Sequence, residues 1–203
     1  MKLECKNITF GYSKDNILLK NVSLSLDSSE RLGIVAKSGF GKSTLAKIIS
    51  GYEKPFSGEI FIDGKPINEK GYNPVQLIYQ HPEKAINPRL KMDKVLLEGN
   101  VLNDHIMKGL GIKEEWLKRY PSELSGGELQ RFSVARALNN KTKFIVADEI
   151  TTMLDAVTQA EIWGFLIDEC KSRNIGMIIV THNMYLADKV CTRILNLEEK
   201  AFE

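Results

Sequence analysis

The sequence predicts an α/β protein with a mainly parallel sheet, an N-terminal antiparallel β part and an inserted helical subdomain. Three observations predict it. The short apolar runs Arg31–Val35, Lys143–Ala147 and Met177–Val180 read as buried strands separated by helix-like stretches, the alternation that builds parallel sheets. Polar and apolar residues alternate over Leu3–Phe10 and again through Val22, Leu24 and Leu26, as in half-buried strands. From about Lys91 to Asn140 the pattern becomes helical, broken by glycines and by Pro121.

Taken in order, the two N-terminal strands lead to Arg31–Val35, which runs into the glycine-containing segment from Ala36 to Thr44. A helix follows, with Leu45, Ile48 and Ile49 apolar and Gly51 placed to end it. Glu59–Ile62 followed by Asp63-Gly64 reads as one arm of a hairpin. Val75–Tyr79 is a further strand, ending at Gln80. A helical subdomain over about 82–140 then interrupts a single domain spanning 1–203. After Lys143–Ala147 come Asp148-Glu149, a helix from about Asp155 to Lys171, the strand Met177–Val180, and His182.

The 203 residues are 43% hydrophobic and 27% charged, enough to bury the core of one domain. Lysine and arginine number 28 against 26 acidic residues, a net charge of +2. That balance excludes a protein built around a strongly basic nucleic-acid surface, and no nucleic-acid partner is expected. No apolar run approaches the roughly 20 residues that cross a bilayer, and Met1–Tyr12 lacks the apolar block of a signal peptide. Cys5, Cys170 and Cys191 are odd in number and far apart, which favours free thiols over a disulfide scaffold or a cysteine zinc site.

The most informative segment is strand, glycine-containing loop, Lys42-Ser43, helix. Phosphates need several backbone N–H donors aimed at them, and glycines let the backbone approach without Cβ clashes. The helix behind adds its free N-terminal donors and the positive end of its dipole. Lys42 would reach the β- and γ-phosphates, and the Ser43 hydroxyl would ligate Mg²⁺. Ala36 stands where the strict phosphate-loop (P-loop) pattern has its first glycine, which is tolerable where φ is negative. Further on, Leu124-Ser125-Gly126-Gly127-Glu128-Leu129-Gln130-Arg131 puts a serine and two glycines at a helix start, a second anion-binding N-terminus or a simple N-cap.

Together these two segments resemble the ATP-binding cassette (ABC) family, whose signature is LSGGQ, with Glu128 in place of the glutamine. The resemblance covers essentially the whole chain and implies a P-loop NTPase fold binding ATP and Mg²⁺. Lys37, Ser38, Gly39, Phe40, Gly41, Lys42, Ser43 and Thr44 would hold the ATP phosphates, although Phe40 stands where the family has a small residue. Phe144–Glu149 looks like the Walker B strand: Asp148 would hold Mg²⁺ through water, and Glu149 would be the general base that polarises the attacking water. His182, 33 residues after Glu149, resembles the switch histidine that contacts the γ-phosphate. Gln80 resembles the Q-loop glutamine, near Mg²⁺ and the attacking water. Tyr12 resembles the aromatic that stacks on adenine, its plainer reading being an exposed strand tyrosine. Met153-Leu154-Asp155 looks like the D-loop, with Asp155 at a dimer interface, and Asp155 also reads as a helix N-cap. Ile150 stands where the family has proline.

The resemblance further implies a head-to-tail dimer, homomeric or mixed, in which Ser125, Gly126, Gly127 and Glu128 meet the ATP held by the other subunit. Ala85–Arg89, Arg119–Glu123 and Asp155–Ile162 resemble the peptide and nickel importer branch. That branch implies membrane permease subunits, an indirect link to an extracytoplasmic solute-binding protein, and residence at the cytoplasmic face of the membrane. The solute would be a peptide, nickel or a metal chelate. Two alternatives are a weakly hydrolytic or non-hydrolytic partner in a heteromeric complex and an ABC ATPase without a transporter. Glu149 and His182 argue against the first, and the single cassette without long heptads argues against the second.

Overall fold

The computed structural model describes residues 1–67, 71–101 and 103–200. Its strands and α-helices run β1 (Lys2–Ser13), β2 (Asn16–Asp27), β3 (Arg31–Val35), α1 (Lys42–Ile49), β4 (Ser57–Ile62), β5 (Lys65–Pro66), β6 (Val75–Ile78), α2 (Met92–Glu98), α3 (Asp104–Gly109), α4 (Gly126–Ala137), β7 (Phe144–Asp148), α5 (Ala156–Ser172), β8 (Gly176–Val180), α6 (Met184–Val190), β9 (Arg193–Asn196) and α7 (Leu197–Lys200). They fall into two compact units, one drawn from Met1–Leu77, Lys143–Asp148 and Asn174–Glu203, the other from Ile78–Thr142 and Glu149–Arg173.

The first unit carries two sheets. One has the order β2-β1-β4-β5, and β1 pairs antiparallel with both β2 and β4. The other has the order β6-β7-β8-β3-β9, with β7, β8, β3 and β9 successively parallel. Every residue of β7 and β8 is buried, which is why these strands read as unbroken apolar runs rather than alternating ones. The predicted parallel sheet with an antiparallel N-terminal part is therefore what the chain forms. In β1 and β2 the alternation is interrupted by register shifts, with Asn7 (φ 54°) and Asn21 (φ 52°) in the left-handed region that asparagine tolerates.

Gly58, the second residue of β4, lies opposite that irregularity at φ 95°, and a Cβ there would stand 2.5 Å from the Asn7 carbonyl oxygen and 2.6 Å from that of Lys6. Backbone cannot yield as a side-chain end can. Gly58→Ala is expected to cost about 2 kcal/mol or more, read as a lower urea midpoint.

Helix α1 ends as the sequence predicts. Gly51 is left-handed (φ 76°), its N–H bonds the Ile48 carbonyl (3.0 Å), and the Tyr52 N–H bonds that of Lys47 (2.8 Å), a Schellman closure. Cys5, Cys170 and Cys191 form no disulfide. Burial pushes the Cys5 thiol up to about 12 and that of Cys191 to about 11, so both stay protonated at neutral pH. Three elements near the end of the chain, α6, β9 and α7, go beyond the sequence reading. The first has only seven residues and the other two four each, too short for periodicity to register.

The second unit is helical. Its core includes Val95, Leu96, Ile106, Trp116, Phe132, Ile162, Trp163 and Leu166. The glycine and proline breaks foreseen in its sequence mark helix ends: α3 stops at Gly109, and Pro121 opens a single 3₁₀ turn, Pro121–Glu123. Arg173 ties α5 to the segment after α4, donating to the carbonyls of Leu138 (2.8 Å) and Asn139 (2.5 Å). Glu169 pairs with Arg173 (3.4 Å) and His105 (3.0 Å) from within the same unit.

Candidate functional site

In the first unit β3 delivers the chain into the loop 36–41, and α1 begins at once at Lys42. The loop's left-handed residues are both glycines, Gly39 (φ 88°) and Gly41 (φ 81°), so Ala36 meets no demand that only glycine could satisfy. A Cβ on Gly41 would come within 2.9 Å of the Leu19 side chain, which would have to shift to admit it. Lys42 is only 6% exposed. Its Nζ folds back over the loop, donating to the carbonyl oxygens of Ala36 (2.8 Å) and Lys37 (3.0 Å). Lys37, Ser38 and Gly39 are exposed, and Phe40 is half-buried, sharing a shallow cavity with Ile17, Leu18 and Lys20 of β2.

Asp148 ends β7, 5% exposed, and accepts a hydrogen bond from Ser43 Oγ (3.0 Å). Two residues 105 apart in sequence thus present a hydroxyl and a carboxylate side by side, a hard-oxygen donor set suited to Mg²⁺. His182 is exposed two residues beyond β8, where Thr181 accepts from the Asn183 N–H (3.0 Å) and Asn183 caps α6. Tyr12 is 74% exposed near the end of β1 and meets Phe10 edge to face (5.8 Å). Phe10 stacks in turn on Phe56 (6.0 Å), an aromatic neighbour with no sequence signal beyond its apolarity.

The second unit holds the remaining candidates. Gln80 Nε2 donates to Glu149 Oε2 and to Thr152 Oγ1, each at 3.4 Å. Thr152 Oγ1 also donates to the Glu149 carbonyl (3.1 Å), so it braces that residue, a role sequence reasoning missed. Glu149 has φ 49°, a strained conformation for a residue with a Cβ. Below it, Trp163 Nε1 donates to Thr151 Oγ1 (3.0 Å), which pins the turn, and Ile150 is buried.

Ser125 is the N-cap of α4. Its Oγ accepts the Glu128 N–H (3.3 Å) while Glu128 Oε2 accepts the Ser125 N–H (2.8 Å), a reciprocal capping box that the S-x-x-E spacing could have revealed. Gly126 is exposed, and a Cβ there would meet nothing. Asp155 caps α5, Oδ1 accepting from the N–H groups of Val157 and Thr158 (both 3.0 Å) and Oδ2 from the Thr158 hydroxyl (2.7 Å). These bonds hold both carboxyls below the usual range: the Ser125 N–H acts most strongly on Glu128, the Thr158 N–H on Asp155. A lowered folded value means both caps are complete at neutral pH and are lost only as pH falls through it. The two capped helix starts share one cavity of about 450 Å³, lined also by Lys113, Arg131 and Leu154.

Among the described residues no helix is long and apolar enough to cross a membrane. The family described as ABC transporter matches residues 19–152. The nickel import system ATP-binding protein NikE of Staphylococcus aureus (strain bovine RF122 / ET3-1) is 30% identical over 210 residues, which covers 97% of this chain and 87% of NikE. Of solved structures, the dimeric post-hydrolysis state of the ATP-binding cassette MJ0796 bound to ADP and Pi matches with a TM-score of 0.83 at 28% identity, covering 96% of this chain and 93% of that one. CbiO1 from Clostridium perfringens, part of the ABC transporter complex cbiONQ, matches with a TM-score of 0.77 at 25% identity, over 99% of this chain and 90% of that one.

Proposed function

The chain belongs to the ABC transporter family of ATPases, and on that footing we propose that it is the ATP-hydrolysing subunit of an importer for nickel, metal chelates or peptides. The observation that carries the enzymatic part is the Ser43–Asp148 pair at 3.0 Å beside the loop that holds Lys42. The importer setting is supported by the likeness to NikE over 97% of the chain. The second reading, a non-hydrolytic partner, is disfavoured because Ala36 meets no left-handed requirement and Phe40 lies by β2.

ATP binds with its phosphates among the backbone N–H groups of residues 38–44, with the Lys37 side chain beside them, and Lys42 exchanges its two carbonyl partners for phosphate oxygens. Ser43 and Asp148 are the residues that would hold Mg²⁺, which when bound neutralises charge on the β- and γ-phosphates. Glu149 takes a proton from water as the water oxygen bonds to the γ-phosphorus and the bond to the β–γ bridging oxygen breaks. Gln80 orients Glu149 through its amide, His182 contacts the γ-phosphate, and Tyr12 stacks on adenine. Residues 1–203 act as one nucleotide-binding domain. Two such domains pair head to tail, so Ser125, Gly126, Gly127 and Glu128 meet the nucleotide of the other subunit, with Asp155 at the junction. The pair, homomeric or mixed, sits at the cytoplasmic face of the membrane on permease subunits fed by a solute-binding protein.

Mg²⁺-dependent ATP hydrolysis measured against chain concentration tests this reading. A specific rate that climbs with concentration supports paired identical subunits; a flat rate contradicts a shared site. Ser125→Ala is expected to lower the rate about tenfold at each concentration and to cost α4 about 1 kcal/mol of capping.

A further inference from the structure

Glu198 lies beyond the end of β9 and outside residues 19–152, which match the family model. The topology nevertheless brings it to the phosphate loop. β9 is parallel to β3, with Asn196 opposite Val35, so the residues just past each strand come together. Buried Leu197 anchors this short segment, and Asn196 Oδ1 accepts the Glu198 N–H (3.1 Å). Glu198 Oε1 then accepts the Lys37 N–H at 2.7 Å, and its other oxygen lies 4.0 Å from Lys37 Nζ.

The Lys37 N–H belongs to the same peptide unit as the Ala36 carbonyl, which accepts from Lys42 Nζ at 2.8 Å. One peptide group is thus gripped at both ends, by a carboxylate on its N–H and by an ammonium on its C=O. Both charges align with the peptide dipole, so each bond strengthens the other. The peptide plane is fixed, and with it the entry of the chain into the loop and the resting place of the Lys42 ammonium.

We propose that Glu198 is a positioning residue for nucleotide binding, which preorganises the phosphate loop by holding the Ala36–Lys37 peptide. The inference rests on reading residues 36–44 as the ATP phosphate loop. Without the carboxylate the peptide is free to turn, and ATP binding must supply the ordering that Glu198 otherwise provides.

ATP titration calorimetry on wild-type, Glu198→Ala, Glu198→Gln and Lys42→Ala chains tests it. Glu198→Ala is expected to weaken ATP binding about five- to tenfold, the scale of part of one charge-assisted hydrogen bond. It should raise KM for ATP by a similar factor with kcat changed less than about twofold. Glu198→Gln keeps an acceptor for the Lys37 N–H and should recover most of the affinity. The melting temperature without nucleotide should stay the same in both variants, while the rise produced by ATP shrinks in Glu198→Ala alone. Three outcomes overturn the inference while leaving the phosphate-loop reading intact, provided Lys42→Ala abolishes binding: an unchanged Glu198→Ala affinity, tighter binding from relief of anion repulsion, or equal losses in the Ala and Gln variants. If Lys42→Ala binds ATP as the wild type does, both readings fall together.

Discussion

Lys42→Ala is expected to abolish ATP binding, with no heat of association in a titration that gives a clear isotherm for the wild-type chain. The ammonium is almost wholly buried and held between the carbonyls of Ala36 and Lys37, so it waits inside the loop rather than sampling solvent. On meeting phosphate it trades two neutral acceptors for anionic ones. Charge-assisted bonds contribute about 1.5–3 kcal/mol each, so losing two amounts to at least a hundredfold in affinity. The alanine also leaves the two carbonyls without their cation, facing the space phosphate must enter. Unchanged affinity would remove residues 36–44 from the role of phosphate loop.

Glu149→Gln is expected to bind ATP with little loss and to hydrolyse it about 10²–10³-fold more slowly, the usual contribution of a general base. The substitution is near isosteric. The amide oxygen can still accept from Gln80, and the brace from Thr152 acts on the main chain, so the turn is preserved. What disappears is the capacity to take a proton. ATP should therefore accumulate intact on the variant and trap paired chains, seen as a dimer in size-exclusion chromatography with ATP. Full activity in this variant would take Glu149 out of the base role.

Much of the fold could be read before the structure because its central strands are uniformly apolar and its helix stops are chemically explicit. β7 and β8 are buried throughout, and Gly51 closes α1 in the conformation its position implied. Asp155 turned out to be the helix cap that its plainer reading suggested. The companions of the candidate residues were harder to see. Ser43 and Asp148 are 105 residues apart, and only the pairing of sheet and helix brings them to 3.0 Å. Thr152 and Glu198 carry no motif, since their roles arise from turn geometry and from the parallel register of β9. Glu128 was legible as a departure from LSGGQ, and its S-x-x-E spacing from Ser125 already carried the signal of the hydrogen-bond exchange that the structure shows.

That exchange sets the terms on which the Ser125 hydroxyl can meet an anion. A hydroxyl has one hydrogen and two lone pairs. The cap on α4 occupies a lone pair, because Ser125 Oγ accepts from the Glu128 N–H. Its hydrogen, at an exposed position, is shared with the Glu128 carboxylate, which it helps to hold below the usual range. An anion approaching the start of α4 can therefore take that hydrogen from the Glu128 carboxylate while the Glu128 N–H stays capped. Threonine in that position would keep the arrangement, while cysteine would weaken both halves of it at once.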